Sequence, residues 1–351
     1  MTLDELTGSI AFTGEAAAGP ALRRWSSLAK PLGSLGLFES AIAKISALTG
    51  REDVSLDNAV LLVFCADNGV TARGVSQSDS SVTAAVARAL GEGTSTVSYM
   101  AAQAGCRVVP VNIGMVEQAP MSGVMNKCVM AGTGDISLGP AMTREECVCA
   151  ILTGAQLAAD ARESGANIIL LGEMGIGNTT TSAAVACALL NAAPELMTGR
   201  GAGLSDAGLR RKRDAVSRAL KINNPDKNDP IDILAKVGGL DLAALCGVCL
   251  GGAYYKIPIL LDGLITCAAA LCAVRLCPPV SNALLASHVS EEPAAAMLLD
   301  SLGLAAPIHA RLRLGEGTGA VLCLSLLRQA LAVYMSGHTF ENLGIEAYTP
   351  K

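Results

Sequence analysis

Four apolar runs alternate with longer Ala-rich segments along the chain, and this alternation limits the possible folds more than any other feature. Each run is continuously apolar, as expected for a strand buried on both faces of a sheet; the runs span residues 59–64, 106–111, 167–171 and 257–261. The Ala-rich segments predict helices over residues 82–91, 144–162, 180–190, 206–220, 231–247 and 263–274. Strands that alternate with helices predict an α/β fold, with a parallel sheet flanked by helices on both faces.

Composition excludes several classes of protein. The 351 residues are enough for about two domains, or for one large α/β domain with an accessory piece. Lys and Arg number 26 against 31 Asp and Glu, a net charge of −5, so we expect no nucleic acid partner. With 51% hydrophobic and 16% charged residues, the chain is too apolar to be disordered.

The most apolar stretch, residues 257–274, is about one bilayer width long. Pro258, Asp262 and Gly263 interrupt it, so we interpret it as a buried strand followed by a helix and expect no membrane association. Asp4 and Glu5 precede any apolar stretch, and no secretory signal is visible. The sequence therefore predicts a cytoplasmic protein.

The twelve cysteines do not indicate a disulfide framework, because they are scattered among aliphatic residues in a long chain. Cys246 and Cys249 form a C-x-x-C pair, but no second pair follows at metal spacing, and the helical context favours small buried side chains. The chain also has only three histidines. We therefore predict no metal site.

Ligands of parallel α/β sheets bind beyond the carboxyl ends of the strands, so the loops there are the places to search. Residues 172–181 read Gly-Glu-Met-Gly-Ile-Gly-Asn-Thr-Thr-Thr, between the predicted strand ending at Leu171 and an Ala-rich helix. Glycines and free amides at a helix start can hold a phosphate, although the run is neither a P-loop nor G-x-G-x-x-G. An ordinary turn with Asn178 or Thr179 as the helix N-cap explains the run equally well.

Two further loops carry chemically active groups. The glycine-rich residues 199–203 precede four consecutive cations at 210–213, one of which could supply an ammonium to a phosphate, although a solvated helix face describes most of the run. Glu316 lies between glycines at the start of an apolar helix, where it could act as a general base or merely complement the helix dipole. His288 is expected to be structural, and no serine nucleophile elbow is present.

Taken together and in order, these loops resemble those of the nicotinate-nucleotide:dimethylbenzimidazole phosphoribosyltransferase family. The resemblance spans nearly the whole chain and is carried by residues 30–36, 66–70, 74–76, 140–143, 172–180, 199–213, 229–239, 261–263, 287–288 and 314–320. It implies a Rossmann-like catalytic domain over residues 31–324 and a small helical domain built from residues 1–30 and 325–351. It also implies a dimer whose active sites lie near the subunit interface.

The family's reaction, as the resemblance implies it, transfers the phosphoribosyl group of nicotinate mononucleotide to the lower-ligand base of a cobamide and releases nicotinate, with no cofactor. Glu316 matches the catalytic base, and Glu173 matches a carboxylate that can stabilise positive charge on the ribose. The residues expected to bind the phosphate and nucleotide are Gly175, Ile176, Gly177, Asn178, Thr179, Gly201, Gly203, Lys212 and Ser290. Those expected to contact the aromatic acceptor are Ser78, Met174 and Leu314.

Some positions depart from the family's usual pattern. Residues 77–81 lack the aromatic residue and proline that usually line the benzimidazole pocket, Asn68 stands in place of His, Asp135 in place of Asn and Ala294 in place of Gly. Some relatives form heterodimers of two paralogous subunits and attach phenol or p-cresol. We therefore expect either a dimethylbenzimidazole-type or a phenolic acceptor, and either a homodimer or a heterodimer.

Two alternatives remain open. The chain could be a weakly active or non-catalytic nucleotide-binding subunit that supports an active paralog. It could also be a different α/β enzyme that binds phosphosugars and ignores aromatic acceptors.

Overall fold

A six-stranded parallel sheet forms the centre of the fold. The computed structural model describes residues 1–348, apart from the side chain of Glu15. The strands within them are β1 (Ala59–Ala66), β2 (Cys106–Gly114), β3 (Met125–Asn126), β4 (Ile168–Met174), β5 (Ile259–Leu261) and β6 (Leu284–Ala286). Their order across the sheet is β3-β2-β1-β4-β5-β6. The predicted α/β fold with a parallel sheet is thereby confirmed.

Helices cover both faces of this sheet. They are α1 (Leu3–Gly8), α2 (Gly19–Ser27), α3 (Leu37–Thr49), α4 (Ser81–Glu92), α5 (Thr96–Gln103), α6 (Arg144–Glu163), α7 (Asn178–Leu190), α8 (Pro194–Met197), α9 (Asp206–Asn223), α10 (Pro230–Val237), α11 (Leu240–Tyr254), α12 (Leu264–Leu276), α13 (Ala294–Leu302), α14 (Thr318–Met335) and α15 (Phe340–Leu343). Short 3-10 helices span Glu15–Ala18, Gly69–Arg73 and Pro278–Ala283.

Strand β1 shows why the apolar runs are continuous. All of its residues are buried, and they alternate between two hydrophobic cores. Val60 and Leu62 pack with α6, α7 and α11 on one face, whereas Leu61 and Val63 pack with α3 and α14 on the other. Both faces of the strand must therefore be apolar.

The predicted helix over residues 231–247 is wrong as a single element, because it is divided into α10 and α11. Gly238 and Gly239 leave the helical conformation between them, with Gly239 fully extended at φ −149° and ψ 163°. Glycine is a poor helix former, and two in succession allow the chain to turn. The break lets α11 begin at the carboxyl end of the sheet with Asp241 in its first turn.

The two ends of the chain meet on one side of the molecule. Helices α2 and α3 pack against α14, and the rings of Trp25 and Tyr334 lie 5.0 Å apart. Helix α1 packs instead against α11, and its Leu6 belongs to the core of the other sheet face. The division into residues 31–324 and a small domain of 1–30 and 325–351 stays a prediction, and its last three residues lie outside the described part of the chain.

Within residues 1–348, one helix is long and apolar enough to cross a bilayer by length and composition alone. This is α14, of which 56% is buried inside the fold. Its buried side chains, among them Leu324 and Leu327, form part of the core between α3 and the sheet. A helix in that position is accounted for by packing within the protein.

Candidate active site

A cavity of about 300 Å³ opens at the carboxyl ends of the strands, where the parallel sheet predicted it. Most of the predicted site residues line it, namely Glu173, Met174, Gly175, Ile176, Gly177, Asn178, Thr179, Gly201, Ser290, Leu314 and Glu316. Asp262, His288 and Glu292 also line it. Lys212 lies behind the wall, whereas Ser78 and Gly203 lie outside it.

The loop after β4 is shorter than the sequence predicted, because the first three residues of the glycine-rich run belong to the strand. β4 pairs with β1 through Met174, so Gly172, Glu173 and Met174 belong to the strand. The turn consists of Gly175, Ile176 and Gly177, and Gly177 has a left-handed φ of +94°. Gly177 is the N-cap of α7, which makes the alternative of Asn178 or Thr179 as N-cap wrong.

An anion-binding corner surrounds this turn. The backbone amides of Gly177 and Thr179 donate to no atom of the described residues, and they lie at the start of α7. The Nζ of Lys212 donates a hydrogen bond of 2.8 Å to Oγ1 of Thr179. Lys212 is completely buried, and burial lowers the pKa of its ammonium to about 8. Free amides and a dry ammonium together favour a phosphate.

Of the four consecutive cations on α9, one lies near the glycine turn and the others are at least partly exposed to solvent. Lys212 faces the glycine turn, whereas Arg210 and Arg211 are exposed and Arg213 is half-buried. The run by itself does not distinguish Lys212, because the four side chains are adjacent and all are cationic; the family resemblance is what selected Lys212.

Glu292, which sequence reasoning missed, closes this corner. Its Oε1 accepts a hydrogen bond of 2.8 Å from the amide of Gly201, and its buried Oε2 has no partner in the described chain. The Glu292 carboxylate also raises the pKa of Lys212 against the effect of burial. The predicted residue Gly203 contacts Gln77 instead, through its carbonyl oxygen. Ser78 is exposed on the same loop as Gln77.

Glu316 occupies a sharp turn before α14. It has a left-handed φ of +59°, unusual for a residue with a side chain, between Gly315 and Gly317, which are also left-handed. A Cβ atom at Gly172 would lie 2.5 Å from the carbonyl oxygen of Glu316, so the turn needs glycine at that position on β4. The turn holds the Glu316 side chain at the cavity wall, half-buried.

The Glu316 carboxylate faces the start of α5. Its Oε2 accepts a hydrogen bond of 3.4 Å from the amide of Val97. Burial raises the pKa of Glu316, and the charge of Asp262 adds to the rise, whereas hydrogen bonds from Val97 and Ser95 oppose it. The group can therefore take up a proton more readily than an exposed glutamate.

Asp262 fixes the start of α14 to the end of β5. Its Oδ1 accepts hydrogen bonds from the amides of Gly319 at 2.8 Å and Ala320 at 3.1 Å. His288 packs beside it, with Nδ1 3.0 Å from Oγ of Ser287. Burial lowers the pKa of His288 to about 4, so its ring is neutral at pH 7. A buried, hydrogen-bonded histidine agrees with the structural role expected from the sequence.

Glu173 and Asn178, which line the cavity, form a buried network with Asp241 behind its wall. The Nδ2 of Asn178 donates one hydrogen bond to Oε2 of Glu173 and another, of 3.1 Å, to Oδ2 of Asp241. Burial raises the pKa of Glu173 to about 8, and the nearby carboxylates add to the rise. Sequence reasoning missed Asp241, although an acidic residue two positions after a glycine pair, at the start of an apolar helix, was an available signal.

The cavity thus combines two kinds of group. Free amides at the glycine turn, with Lys212 behind Thr179, can bind an anion, and the carboxylates of the wall can accept a proton or stabilise a cation. The described residues contain no group of three or more His, Cys, Asp or Glu side chains placed to hold a metal ion. The expectation that no metal is used stays a prediction.

Comparison with known proteins gives a consistent result. Residues 10–345 match a family model described as phosphoribosyltransferase. The nicotinate-nucleotide–dimethylbenzimidazole phosphoribosyltransferase of Acetivibrio thermocellus is 43% identical over 329 residues, covering 94% of each chain. The enzyme of the same name from Ruminiclostridium cellulolyticum is 39% identical and covers 100% of this chain and 99% of its own.

Solved structures are similar to the same extent. The crystal structure of CobT from Thermus thermophilus superposes with a TM-score of 0.90 at 38% identity, covering 95% of this chain and 99% of that one. The turn of Glu316, the glycine turn and the parallel sheet described above all fall within the residues that match the family model. The chain belongs to the nicotinate-nucleotide–dimethylbenzimidazole phosphoribosyltransferase family of enzymes.

Proposed function

We propose that the protein transfers the phosphoribosyl group of nicotinate mononucleotide to an aromatic lower-ligand base of a cobamide, with release of nicotinate and formation of an α-ribosyl 5′-phosphate. The observation that carries the proposal is that Glu316 and Glu173 line the same cavity as the anion-binding turn. A nucleotide whose phosphate occupies the turn would extend its ribose and ring toward these carboxylates.

The donor is held chiefly by its phosphate. Three groups would bind the phosphate: the amides of Gly177 and Thr179 and the ammonium of Lys212. Ser290 and Gly201 line the same cavity. Ile176 and Asn178 shape the turn and the start of α7. Gly203 contributes indirectly, because its carbonyl oxygen accepts a hydrogen bond from Gln77 and so anchors the loop of Gln77. Fixing the phosphate fixes where the anomeric carbon lies, which converts an encounter into an aligned reaction.

In the reaction, a nitrogen or oxygen of the acceptor forms a bond to C1′ of the ribose while the bond from C1′ to the pyridinium nitrogen breaks. The bonding electron pair stays on that nitrogen, and nicotinate leaves. Glu316 accepts the proton that the acceptor loses, and burial suits it to this role by raising the pKa of its carboxylate, which makes it a stronger base than an exposed glutamate. Glu173 stabilises the positive charge that develops on the ribose when its carboxyl is ionised, and because its pKa is raised to about 8, the ionised fraction grows as the pH rises toward 8.

Glu316→Gln tests the proposal. Glutamine keeps the size and can still accept the hydrogen bond from Val97, but it cannot take the proton, so we expect nicotinate release to fall by about 10²- to 10⁴-fold. Nicotinate released from nicotinate mononucleotide and dimethylbenzimidazole is measured by chromatography. Glu145→Gln, at an exposed glutamate in the first turn of α6, is the matched control.

The turnover of the Glu316→Gln variant also distinguishes a catalytic subunit from one that only supports an active paralog. If Glu316→Gln leaves turnover unchanged in a complex reconstituted with a paralogous subunit, the chain is a nucleotide-binding support subunit and the proposal fails. If it leaves the turnover of the chain alone unchanged, Glu316 is not the base. If the wild-type protein binds ribose phosphates but releases no nicotinate with any aromatic acceptor, it is a different phosphosugar enzyme.

The acceptor is either a benzimidazole or a phenol. Met174 and Leu314 line the cavity and offer apolar contact, together with Val86. Ser78 is exposed and does not line the cavity, so its proposed contact with the acceptor requires its loop to move inward. Comparing turnover with dimethylbenzimidazole, phenol and p-cresol at equal concentration decides between the two acceptor classes.

We further propose a dimer, with a second copy or with a paralog. Leu322, Leu326 and Val333 are each about two-fifths exposed along one side of α14, which begins at the cavity. Neighbouring exposed apolar side chains of this size are typical of a subunit interface.

We place the enzyme in the cytoplasm and assign it no metal or redox cofactor. All twelve cysteines are free, and ten of them are buried, as expected in a reducing compartment. Displacement of a pyridinium from C1′ transfers no electrons to the protein and begins with a good leaving group, so proton acceptance and alignment are enough for the chemistry.

A further inference from the structure

Asp241 is a completely buried carboxylate that does not reach the cavity. It lies in the first turn of α11, where its Oδ1 accepts a hydrogen bond of 2.9 Å from the amide of Leu242. That bond caps the helix start but leaves Oδ2 free for another partner. The partner is Nδ2 of Asn178, at 3.1 Å. Burying a charge destabilises the fold, and a neutral serine could have capped the Leu242 amide equally well, so capping alone does not explain an aspartate here.

The Asn178 amide shows what Oδ2 of Asp241 does. Its two N–H groups point to two carboxylates, Glu173 and Asp241. Rotation of the amide by 180° would bring its oxygen against both carboxylates, so the pair of acceptors admits one orientation. With Glu173 alone, a protonated glutamate could donate to the rotated amide.

The backbone around Asp241 is shaped for this contact. A Cβ atom at Gly239 would lie 2.6 Å from Oδ1 of Asp241 and 2.8 Å from Oδ1 of Asn68. The glycine pair that ends α10 therefore also makes room for the carboxylate. Asp241 is held on three sides by the backbone at Gly239, the start of α11 and the amide of Asn178.

We propose that Asp241 is a positioning residue: it fixes the side-chain amide of Asn178 and, through that amide, the orientation and charge of Glu173 in the cavity. This inference rests on the proposed function for its effect on turnover, but not for its effect on Glu173 itself.

Several groups face Glu173, and Asp241 is one of four. Asp241 comes from α11, Asp262 from the end of β5, Glu316 from the turn before α14, and the thiol of Cys65 from β1. All four are neutral or negative, so none offsets the charge of Glu173. Asn178 is the group that stabilises the ionised form. Asp241 therefore acts on Glu173 both by its own charge and by the direction of that amide.

Asp241→Asn separates the charge from the contact. An asparagine at position 241 can still accept from Asn178 through its oxygen, with loss of the bond from Leu242, and it carries no charge, so Glu173 should ionise at lower pH. We expect the midpoint of Glu173 titration to move down by about one pH unit. The midpoint is read from the carboxyl carbon resonances of protein labelled with ¹³C-glutamate, with Glu173→Gln identifying the resonance. This measurement needs the folded chain but no turnover.

The same change should move the acidic limb of the kcat/KM profile to lower pH, because turnover requires ionised Glu173. In a Glu173→Gln background, Asp241→Asn should not change the pH at which the acidic limb of the kcat/KM profile falls. Asp241→Leu removes the acceptor as well as the charge, and should lower kcat at least ten times more than Asp241→Asn. A purely structural Asp241 would lower stability and kcat without moving any midpoint.

The inference is overturned if the Glu173 resonance titrates at the same pH in wild type and Asp241→Asn, or if the limb moves equally in the Glu173→Gln background. If Asp241→Asn does not fold, Asp241→Ser replaces it, since its hydroxyl can cap Leu242 and the change removes the charge whose effect on Glu173 is measured. Unchanged resonances with normal turnover contradict the role of Asp241 alone, whereas moved resonances without turnover contradict the proposed reaction alone.

Discussion

Single residues around the cavity divide into one buried cation and several carboxylates. Lys212 is the cation at the anion-binding corner, and its nearest acidic neighbour there is Glu292. Because burial lowers the pKa of Lys212 to about 8, part of its charge is lost just above neutral pH in the absence of ligand. A phosphate would restore the charge, so nucleotide binding and the protonation of Lys212 are linked.

Lys212→Met tests this link. Methionine is similar in length and tolerates burial, but it cannot donate to a phosphate, so we expect the affinity for nicotinate mononucleotide to fall by about 10- to 100-fold, the loss of one charge-assisted hydrogen bond. In the wild type the affinity should fall as pH rises through about 8, because the free protein then loses the Lys212 proton, and Lys212→Met should remove this dependence.

Isothermal titration calorimetry between pH 6.5 and 9 gives both quantities. Arg210→Met, at an exposed cation on the same helix, is the matched control and should bind as the wild type does. A Lys212→Met variant with wild-type affinity would show that the phosphate lies elsewhere.

The sequence predicted the site residues that lie in glycine-rich loops, but not those that join the site only through contacts distant in the chain. Flanking glycines marked Glu316 and the glycine turn as candidates, and the family resemblance selected Glu316 as the base. Asp241 and Glu292 act through contacts with residues 63 and 91 positions away, Asn178 and Gly201, and no local pattern encodes such a contact. Ser78 was predicted to touch the acceptor from its place in a motif, and the structure shows it exposed.

Among the elements, the crossing of α6 and α11 is the closest helix contact that depends on glycine. A Cβ atom at Gly154 of α6 would overlap the carbonyl oxygen of Ala244, and one at Gly247 of α11 would overlap that of Ile151. The two helices therefore approach backbone to backbone under the sheet. Through this contact α6 supports α11, which carries Asp241 at its start.

Gly154→Ala should therefore destabilise the protein, although alanine is the better helix former. Overpacking costs about 1–3 kcal/mol or more, against a gain in helix propensity of about 1 kcal/mol. We expect a lower thermal unfolding midpoint by calorimetry. Gly8→Ala, where a Cβ would meet no atom within 4 Å, is the control and should keep the wild-type midpoint or raise it slightly. An equal or higher midpoint for Gly154→Ala would mean that the helices separate at no cost.

The longer elements were predictable because burial on two faces leaves a continuous apolar run, as in β1 and β4. The edge strands β3 and β6 were missed because two or three residues carry no pattern. The break between α10 and α11 was missed because apolar residues continue on both sides of it, so hydrophobicity alone joins the two helices.

On the scale of the whole molecule, the cavity lies at one edge of the sheet and α14 runs from it across the surface. The first residues of α14 line the cavity, and the helix also packs between α3 and β4. A partner that covers the exposed side of α14 would therefore approach the mouth of the site. This arrangement is why the oligomeric state bears on catalysis as well as on assembly.

The dimer can be tested on this helix. The chain has a mass of 35.6 kDa, so light scattering of the purified protein, alone or with a paralog, should give about twice that value. Replacing Leu322 and Leu326 with glutamate should return it to the monomer mass, because two buried charges would oppose the interface. Leu196→Glu, at a leucine that is 61% exposed on α8, should leave the dimer intact. A monomeric wild type would refute the dimer, whereas a dimer that tolerates both charges would place the interface on a surface other than this side of α14.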